Sequence, residues 1–467
     1  MDDEPVDVLL ESGRIVDIAP MGALRSRGVV LDAEGAWLMP GLWDNHVHTV
    51  QWALAAERES LGEATSAAEA ARRMATVAPL ADGRRIGTGF RDALWSDAPS
   101  LGVLDQETGA VPTYLINADV HSVWLNSAAL AREGFTSPDG MLREQDAFEI
   151  SRRVNAADPA HADEAVARAM AIAASRGVTG IVDFDMAWNV EAWERRSAAG
   201  LLTQRVEFAV YPEHLDRAIG AGLRTGDIMA DSGGLITVGS LKIITDGSLG
   251  TRTAACAHPY PDHGGRGVLT IARDELVDLL TRATGAGLSA SVHAIGDRAV
   301  SSALDAVTST GATGTLEHAQ LVRHADLARI ARLGLTASIQ PQHALDDRDL
   351  VDGYWAAQTS VGYPMASLLR VGAGLRLGSD APVAPLDPWQ AIAAAVLRTD
   401  DERDPWHSEE RLTVDEAIVA SVRGAVRPGD RADLVLCGAD PRTADAATLR
   451  SMPVAATLVA GRVTHSA

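Results

Sequence analysis

Strand-like and helix-like segments alternate along most of this 467-residue chain, and this alternation restricts the fold more than any other feature. Amphipathic stretches separate short apolar segments, and in one of them Leu276, Leu279, Leu280 and Ala283 recur at helical spacing. The predicted strands are residues 38–46, 180–184, 206–211, 238–245, 288–293, 313–318, 335–340 and 375–380. Eight strands with intervening helices predict an α/β fold, a closed parallel (β/α)8 TIM barrel.

An open, doubly wound sheet is the alternative arrangement of alternating strands and helices. Such a sheet normally carries a glycine-rich phosphate-binding turn after its first strand. The chain contains neither GxGxxG nor GxxxxGK[ST], and its first predicted barrel strand leads instead into His46-Val47-His48. The closed barrel is therefore favoured.

Two parts of the chain fall outside this alternation. Residues 1–40 and 424–467 hold strand-like segments that are too short to form independent sheets, so we expect one small β-sandwich domain built from both termini. Its predicted strands are residues 6–10, 14–18, 29–32, 432–437 and 455–460. Within the barrel domain, residues 41–423, the segment 57–149 is too long for a loop and is predicted to form a cap over the site.

Charge and cysteine content exclude several classes of protein. The chain has 63 Asp and Glu against 41 Lys and Arg, and a net charge of -22 disfavours binding to nucleic acid or to anionic membranes. Two distant cysteines, Cys256 and Cys437, exclude a disulfide framework and a four-thiolate zinc site. An acidic N-terminus and the lack of an 18-residue apolar run predict a cytoplasmic protein. We expect a small-molecule substrate, and the outer helices allow a homodimer.

Metal-ligand residue types recur at the predicted carboxyl ends of the barrel strands. His46 and His48 are two residues apart, so their side chains share one face of the strand. His293, His318 and Asp380 close three further predicted strands. Active sites of such barrels form at this end, and imidazole and carboxylate groups are zinc ligands. A single His-x-His would be weak evidence, but five such residues at strand ends predict a metal site.

This constellation resembles the amidohydrolase superfamily, in which a Lys or an acid on the fourth strand joins such histidines and an aspartate. Lys242 occupies the fourth predicted strand. Four motifs resemble the subgroup of YtcJ-like proteins and N-substituted formamide deformylases (amidohydrolase family 3): residues 39–48 (MPGLWDNHVH), 242–252 (KIITDGSLGTR), 293–299 (HAIGDRA) and 378–383 (GSDAPV). The likeness covers nearly the whole chain.

The resemblance implies a carboxylated Lys242 that bridges two metal ions about 3.5–4 Å apart. Burial among cations would neutralise the lysine amine and make this modification feasible. One ion would then bind His46, His48 and Asp380, and the other would bind His293 and His318. The alternative is an unmodified Lys242 paired with an acid such as Asp246, and a single ion held by His46, His48, His293 and Asp380. Nitrogen and oxygen ligands favour zinc, with manganese, iron or nickel as alternatives.

The implied reaction is hydrolysis of a non-peptide carbon–nitrogen bond in a small N-acyl or N-formyl compound. A metal ion lowers the pKa of a bound water to about 7, and Asp380 is the predicted general base that later protonates the leaving amine. Hydrolytic deamination and ester or lactone hydrolysis are alternative reactions; deaminases of this kind use an unmodified fourth strand, so Lys242 counts against them. A metal-free binding protein is the non-enzyme alternative, and the intact ligand positions count against it.

Three further residues, Arg252, His121 and Trp95, are predicted to contact the substrate. Each could instead have a purely structural role. Arg252 would then be a surface arginine, His121 a buried, hydrogen-bonded histidine, and Trp95 part of the core of the insertion. Glu317 and Asp297 lie next to ligand histidines in the sequence and are predicted to orient them. No role is assigned to the remaining histidines of the predicted loops: His258, His263, His343 and His407.

Overall fold

An eight-stranded parallel sheet forms the centre of the computed structural model, which describes residues 4–25, 28–156, 158–262 and 264–467. Its strands are β1 (Leu42–Val47), β2 (Val178–Asp183), β3 (Arg205–Val210), β4 (Ile236–Ile244), β5 (Ala290–Ala294), β6 (Gly314–His318), β7 (Thr336–Ile339) and β8 (Gly374–Leu377). Neighbours pair in chain order, and a parallel bridge between Val47 and Ala381 joins the last strand region to β1. The predicted (β/α)8 barrel is confirmed.

The barrel strands are buried on both faces, which explains their nearly continuous apolar sequences. All six residues of β1 and all six of β2 are buried. Helices lie between the strands. The helix Arg273–Ala286 contains the residues noted at helical spacing, buries Leu276 and Leu280, and ends at Gly287 in the left-handed conformation. The helices of this domain are Thr49–Ala55, Pro159–Ser175, Asn189–Ala198, Leu215–Gly220, Arg273–Ala286, Asp297–Thr310, His324–Arg332, Pro341–Asp346, Arg348–Tyr354, Met365–Arg370, Pro388–Leu397 and Val414–Ala420. None of the described helices has the length and hydropathy that crossing a bilayer requires.

Two strand predictions were wrong in detail. Residues 38–46 form two strands, Trp37–Pro40 and β1, because Pro40 cannot donate a hydrogen bond and Gly41 lies against Thr179. A Cβ atom on Gly41 would lie 2.2 Å from the Cγ2 atom of Thr179. Residues 29–32 form no strand, and Val29 is fully exposed, so β-branched composition alone did not create one.

The two ends of the chain form a small β-sandwich. A four-stranded antiparallel sheet is ordered Arg462–Ser466, Val454–Val459, Leu434–Cys437 and Trp37–Pro40. A hairpin of Val6–Glu11 and Arg14–Pro20 forms a separate two-stranded sheet, and its Ile15 packs with Leu434 and Leu458 of the four-stranded sheet. Both termini therefore contribute to one apolar core, as the fold prediction required. The short helix Ala446–Arg450 lies between two of these strands in the sequence.

The chain between β1 and β2 folds into a separate five-stranded sheet with apolar clusters of its own. Its strands, in order, are Glu59–Ser60, Arg85–Phe90, Thr113–Asn117, Ser122–Leu125 and Met141–Arg143. Its helices are Ala67–Thr76, Leu101–Thr108, Ser127–Glu133 and Gln145–Asn155. Turns of this insertion contact loops that follow barrel strands: Arg91 pairs with Asp346 at 2.8 Å, and Ser248 donates to Asp119 at 2.6 Å. The insertion therefore lies at the carboxyl ends of the barrel strands.

A nearly buried ion pair joins the barrel to the terminal sheet and provides a test of this arrangement. Arg205, the first residue of β3, contacts both carboxylate oxygens of Asp433, at 2.5 and 3.0 Å. We expect Arg205→Ala to lower the free energy of unfolding by about 3 kcal/mol, because Asp433 would keep a buried, unpaired charge. Urea denaturation of both proteins measures this difference.

The matched control is Arg282→Ala, whose partner Asp216 is 89% exposed in its side chain. Exposed pairs contribute about 0–1 kcal/mol, so this variant should unfold close to the wild type. Equal effects of the two substitutions would contradict the structural role of the Arg205–Asp433 pair.

Candidate metal centre

The side chains predicted as metal ligands lie together at the carboxyl ends of the barrel strands. They come from β1, β4, β5 and β6 and from the segments that follow β1 and β8: His46, His48, Lys242, His293, His318 and Asp380. Each of these residues is at most 9% exposed. The ring centroids of His293 and His318 are 4.4 Å apart, and those of His46 and His318 are 4.8 Å apart. The barrel thus brings residues from distant parts of the chain into one cluster.

Asp380 lies at the centre of this cluster. Its Oδ1 atom is 3.4 Å from Nε2 of His46 and 3.3 Å from Nε2 of His48. Its Oδ2 atom is 4.0 Å from Nδ1 of His318. His46, His318 and Asp380 each offer a ligand atom, and these three atoms lie within 4.8 Å of one another. This spacing and this mixture of nitrogen and oxygen donors suit a zinc-like ion.

Two ring nitrogens of the cluster support the same interpretation. Nε2 of His293 and Nδ1 of His48 are buried and have no hydrogen-bond partner among the described residues. A buried polar atom without a partner costs about 1–3 kcal/mol, so such atoms usually serve another purpose. A metal ion would use the lone pair of His293 Nε2, and the residues present therefore fit a metal.

Neighbouring polar groups orient two of the histidines. Nδ1 of His46 is 2.7 Å from Oε2 of Glu317, and Nδ1 of His318 is 2.8 Å from Oε1 of Gln340. A carboxylate and an amide oxygen accept hydrogen bonds, so both Nδ1 atoms carry the proton and both Nε2 atoms keep a free lone pair. Glu317 thus holds a predicted ligand, but this residue is His46 and not its sequence neighbour His318.

Burial keeps three of the histidines in the form that binds metal. It lowers the pKa values of His46, His293 and His318 well below the usual value, and the nearby Lys242 lowers them further. Burial also raises the pKa of Asp380, but the hydrogen bond and charge of His48 outweigh it and hold this pKa below its usual range. The cluster therefore combines three neutral imidazoles with an ionised carboxylate.

Lys242 is the unusual member of the cluster because its amine is buried without an acidic partner. Nζ lies 3.4 Å from Nε2 of His46 and 4.4 Å from the ring centroid of Phe184, and no described carboxylate oxygen lies within 4.0 Å. Burial lowers the pKa of Lys242 to about 8, against the opposing charges of Glu317 and Asp380. The amine is therefore easier to deprotonate than an exposed lysine.

Asp246 does not pair with Lys242, in contrast to the alternative considered from the sequence. Its carboxylate accepts backbone N–H bonds from Ala255, Ile295 and Gly296, at 2.9, 3.0 and 2.8 Å. It also lies 3.5 Å from Nε2 of His293. Asp246 therefore holds the loops after β4 and β5 together next to a ligand histidine.

Two members of the cluster have a left-handed backbone. The φ angles are 70° for His318 and 60° for Asp380, a region that residues other than glycine seldom adopt. Such conformations cost about 1–3 kcal/mol and concentrate at functional sites. The strain turns both residues at the ends of their strands, where the cluster lies.

A cavity of about 90 Å³ opens between this cluster and the insertion. His121, from the insertion, lines it, with its ring centroid 5.7 Å from that of His293. Burial would lower the pKa of His121, but Glu144, 3.0 Å from its Nδ1 atom, raises it to about 9. His121 therefore lies at the cavity and is hydrogen-bonded there, and its contact with a substrate stays a prediction.

The other two predicted substrate contacts lie away from the cavity lining. The Arg252 guanidinium contacts Asp262 at 3.2 Å and the Tyr354 hydroxyl at 3.3 Å, and its side chain is one-third exposed. Trp95 donates to the backbone oxygen of Ala64 and packs on Phe90 in the core of the insertion. Arg252 and Trp95 therefore have structural roles, because nearby residues already bond their polar groups.

Asp297 was predicted to orient a ligand histidine, but it has a different role. Its carboxylate accepts hydrogen bonds from Ala257 N at 2.6 Å, from Ser360 at 2.9 Å and from Arg323 at 3.3 Å. It therefore fixes loops around the site.

Sequence reasoning missed several residues of the site. His343 was assigned to a loop, yet it is buried in the helix Pro341–Asp346, lines the cavity and stacks on His318 at 6.4 Å. Two glutamines were also missed: Gln340, which orients His318, and Gln320, which lines the cavity wall. Their positions just after β7 and β6 were the only sequence features that could have indicated a role. His263, also assigned no role, lies outside the described residues.

The chain is similar to several known proteins over most of its length. It is 27% identical to the putative amidohydrolase YtcJ of Bacillus subtilis, over 93% of this chain and 90% of that protein. It is 24% identical to the N-substituted formamide deformylase of Arthrobacter pascens, over 97% of this chain and 94% of that protein. The structure of an uncharacterized metal-dependent hydrolase from Pyrococcus horikoshii OT3 superimposes with a TM-score of 0.79 and 25% identity, over 94% of this chain and 95% of that one.

A family model supports the same relationship and is more decisive than any single relative. The amidohydrolase family model matches residues 29–465, which include the terminal sheet, the barrel and the insertion. The barrel, the buried ligand cluster and this match agree with one another. The chain therefore belongs to the amidohydrolase family, whose members and structural neighbours imply a hydrolase that uses a divalent metal.

Proposed function

We propose that this protein hydrolyses a non-peptide carbon–nitrogen bond, an amide or formamide, in a small N-acyl compound. The observation that carries the proposal is the buried cluster of four histidines and Asp380 around Lys242, an amine without an acidic partner. The likeness to a formamide deformylase over nearly the whole chain supports the choice of bond. A cavity of about 90 Å³ suits a small reacting group and little water.

The proposed centre holds two zinc ions. His46, His48 and Asp380 would bind one ion, His293 and His318 the other, and a carboxylated Lys242 would lie between them. Lys242 Nζ has few partners in the structure, which supports carboxylation of this amine. A carbamate on this atom would supply anionic oxygens to the buried cluster. Such ions supply an acidified water and a Lewis acid for a carbonyl oxygen.

Asp380 is the proposed proton carrier of the reaction. Its Oδ1 atom faces His46 and His48, whereas Oδ2 has no hydrogen-bond donor among the described residues and remains available. The lowered pKa keeps the group ionised and therefore able to accept a proton at Oδ2 from the attacking water. The same carboxyl group then delivers this proton to the departing amine nitrogen.

His121 and the insertion would exclude bulk water and position the substrate. The His121–Glu144 pair is part of a hydrogen-bonded network in which Glu144 also accepts from Thr253 at 2.6 Å. The network holds the insertion against the loop after β4. A substrate in the cavity would therefore contact groups whose positions are set before it binds.

Metal content and the state of Lys242 can be measured without any substrate. We expect protein purified without chelators to contain about two metal ions per chain, and native mass spectrometry to show a labile mass gain equal to one carbon dioxide. Lys242→Ala should abolish this mass gain and bind about one ion. Plasma emission spectrometry gives the metal content of both proteins.

One ion per chain and no adduct in the wild type would favour a single-metal site and would bring deaminase substrates forward. If no metal bound even after reconstitution with zinc and bicarbonate, the hydrolase proposal would fail.

If Asp380 carries the proton, its substitution should lower the rate of hydrolysis by more than any fall in metal content explains. For Asp380→Asn we expect kcat per bound metal ion to fall by about 10²–10⁴, since the amide cannot accept the proton. Hydrolysis of N-formyl and N-acyl amines, with metal content measured on the same samples, tests this. Asp216→Asn, in an exposed side chain, is the control and should keep the wild-type rate. Full activity of metal-loaded D380N would disprove the proton-carrier role.

The hydrogen bond from His46 to Glu317 predicts an effect on metal affinity. In Glu317→Gln the neutral amide replaces a carboxylate at the Nδ1 atom of His46, so we expect metal affinity to fall by about 10–100-fold. Competition with a chromophoric chelator measures the dissociation constant. Glu410→Gln changes an equally buried carboxylate that bonds Ser367 instead and should leave metal affinity unaltered. Equal affinities of E317Q and the wild type would refute the proposed orientation.

A further inference from the structure

The cavity wall formed by the insertion and by the two short helices after β7 has more acidic than basic groups. Apart from the metal cluster, four aspartates line it: Asp92, Asp119, Asp346 and Asp347. Arg91 lines it as well and pairs with Asp346, and His121 pairs with Glu144. Within the described ranges, no Lys, Arg or His nitrogen lies within 4.0 Å of the other three carboxylates. Three carboxylates of the wall therefore have no ion-pair partner in the described part of the chain, although the charge of the cavity-lining His343 acts on Asp347.

Two of these carboxylates have little hydrogen bonding of their own. Asp119 accepts bonds on both oxygens, from the His121 backbone and from Ser248, and so has a structural role. Asp92 has a single side-chain partner, the amide of Asn117 at 2.8 Å, and Asp347 has a single one, the hydroxyl of Tyr363 at 2.8 Å. Asp92 and Asp347 thus retain acceptor capacity toward the cavity.

The side-chain amide of Gln320 is a further acceptor in the cavity that lacks a hydrogen-bond donor in the described part of the chain. It is 4% exposed and lines the same cavity, and its Oε1 atom has no hydrogen-bond partner among the described residues. An amide oxygen is only an acceptor, so this atom is available to a donor on a bound molecule. Buried polar atoms left without a partner are rare in folded proteins, which makes this one informative.

The three acceptors belong to segments that contact one another. The ion pair between Arg91 and Asp346 joins the chain neighbours of Asp92 and Asp347. Tyr363 connects the other pair, because its backbone N–H donates to the Gln320 carbonyl at 2.7 Å and its hydroxyl donates to Asp347. Asp92, Asp347 and Gln320 therefore form one acceptor-rich wall, which we name the acidic wall.

We propose that the acidic wall binds a primary ammonium group of the substrate, so that the enzyme acts on small amides that carry an amine at their far end. The proposal rests on the function proposed above and specifies its substrate class. An ammonium offers three N–H donors and a positive charge, which match two carboxylates and one amide oxygen. A substrate carboxylate would be repelled by Asp92 and Asp347 and would offer Gln320 no donor, so N-acyl amino acids are disfavoured.

Three formamides with the same four-carbon spacer test this preference on the metal-loaded enzyme. They end in an ammonium (monoformyl-diaminobutane), a methyl (N-pentylformamide) or a carboxylate (formamidopentanoate). We expect kcat/KM to be about 10-fold higher for the ammonium than for the methyl compound, and lowest for the carboxylate. Calorimetric titration with butylammonium chloride adds a binding measurement that does not depend on hydrolysis.

Substitutions in the acidic wall connect the preference to the named residues. Asp92→Asn and Asp347→Asn keep an oxygen for Asn117 and Tyr363 but remove the charge, and Gln320→Leu removes the acceptor. Each should reduce the roughly 10-fold preference in kcat/KM for the ammonium over the methyl compound and weaken butylammonium binding. Asp278→Asn, 64% exposed on the helix Arg273–Ala286, removes the same net charge elsewhere and should change neither quantity.

The outcomes separate this inference from the proposed function. Hydrolysis of all three formamides with no preference for the ammonium would overturn the acidic wall while the hydrolase proposal stands. Butylammonium binding that D92N abolishes, without hydrolysis of any amide, would support the wall while the choice of bond fails. Binding that is equal in D92N, D347N and the wild type would overturn the inference.

Discussion

The contact that closes the barrel also assembles its chemistry. Where β8 meets β1, the backbone N–H of Asp380 donates to the His46 carbonyl at 2.7 Å, and that of His48 donates to the Ala381 carbonyl at 2.9 Å. Asp44 strengthens this junction, since its Oδ1 atom accepts the N–H groups of His46 and Ser379 at 3.1 and 2.9 Å. The residues that close the sheet are the predicted metal ligands or their neighbours. Any slip in this pairing would therefore separate Asp380 from the histidines.

A cluster of this kind is stable only if its buried polar groups satisfy one another. Burial opposes charge on the imidazoles and on Lys242, and the structure meets that cost with the acceptors of Glu317 and Gln340 and with the ionised Asp380. Nε2 of His293 and the amine of Lys242 remain poorly satisfied by the protein alone. Metal binding and lysine carboxylation would complete the network, which links the stability of the barrel end to the chemistry proposed for it.

The sequence predicted those parts of the molecule that follow from local periodicity. Strand alternation and helical spacing indicated the barrel, and residues at strand ends, such as His293 and His318, could be placed because parallel strands end at one face. The strand break at Gly41 was not predicted. It depends on packing against Thr179, a residue more than a hundred positions away in the sequence. His343 and Gln320 were missed for the same reason, since only the loops around them show that they face the cavity.

The insertion and the barrel both contribute residues to the site, and two glycines show how closely the insertion packs against a barrel loop. A Cβ atom on Gly247 would lie 2.6 Å from the Glu144 carboxylate, and one on Gly250 would lie 2.7 Å from that of Asp119. These glycines belong to the segment that follows Lys242, so the loop of a ligand-bearing strand is shaped to receive acidic side chains of the insertion. Barrels of one family share a metal centre but differ in their loops, which set specificity. The barrel strands therefore hold the residues that would bind metal, and the groups that would distinguish one proposed amide substrate from another belong to the insertion and the neighbouring loops.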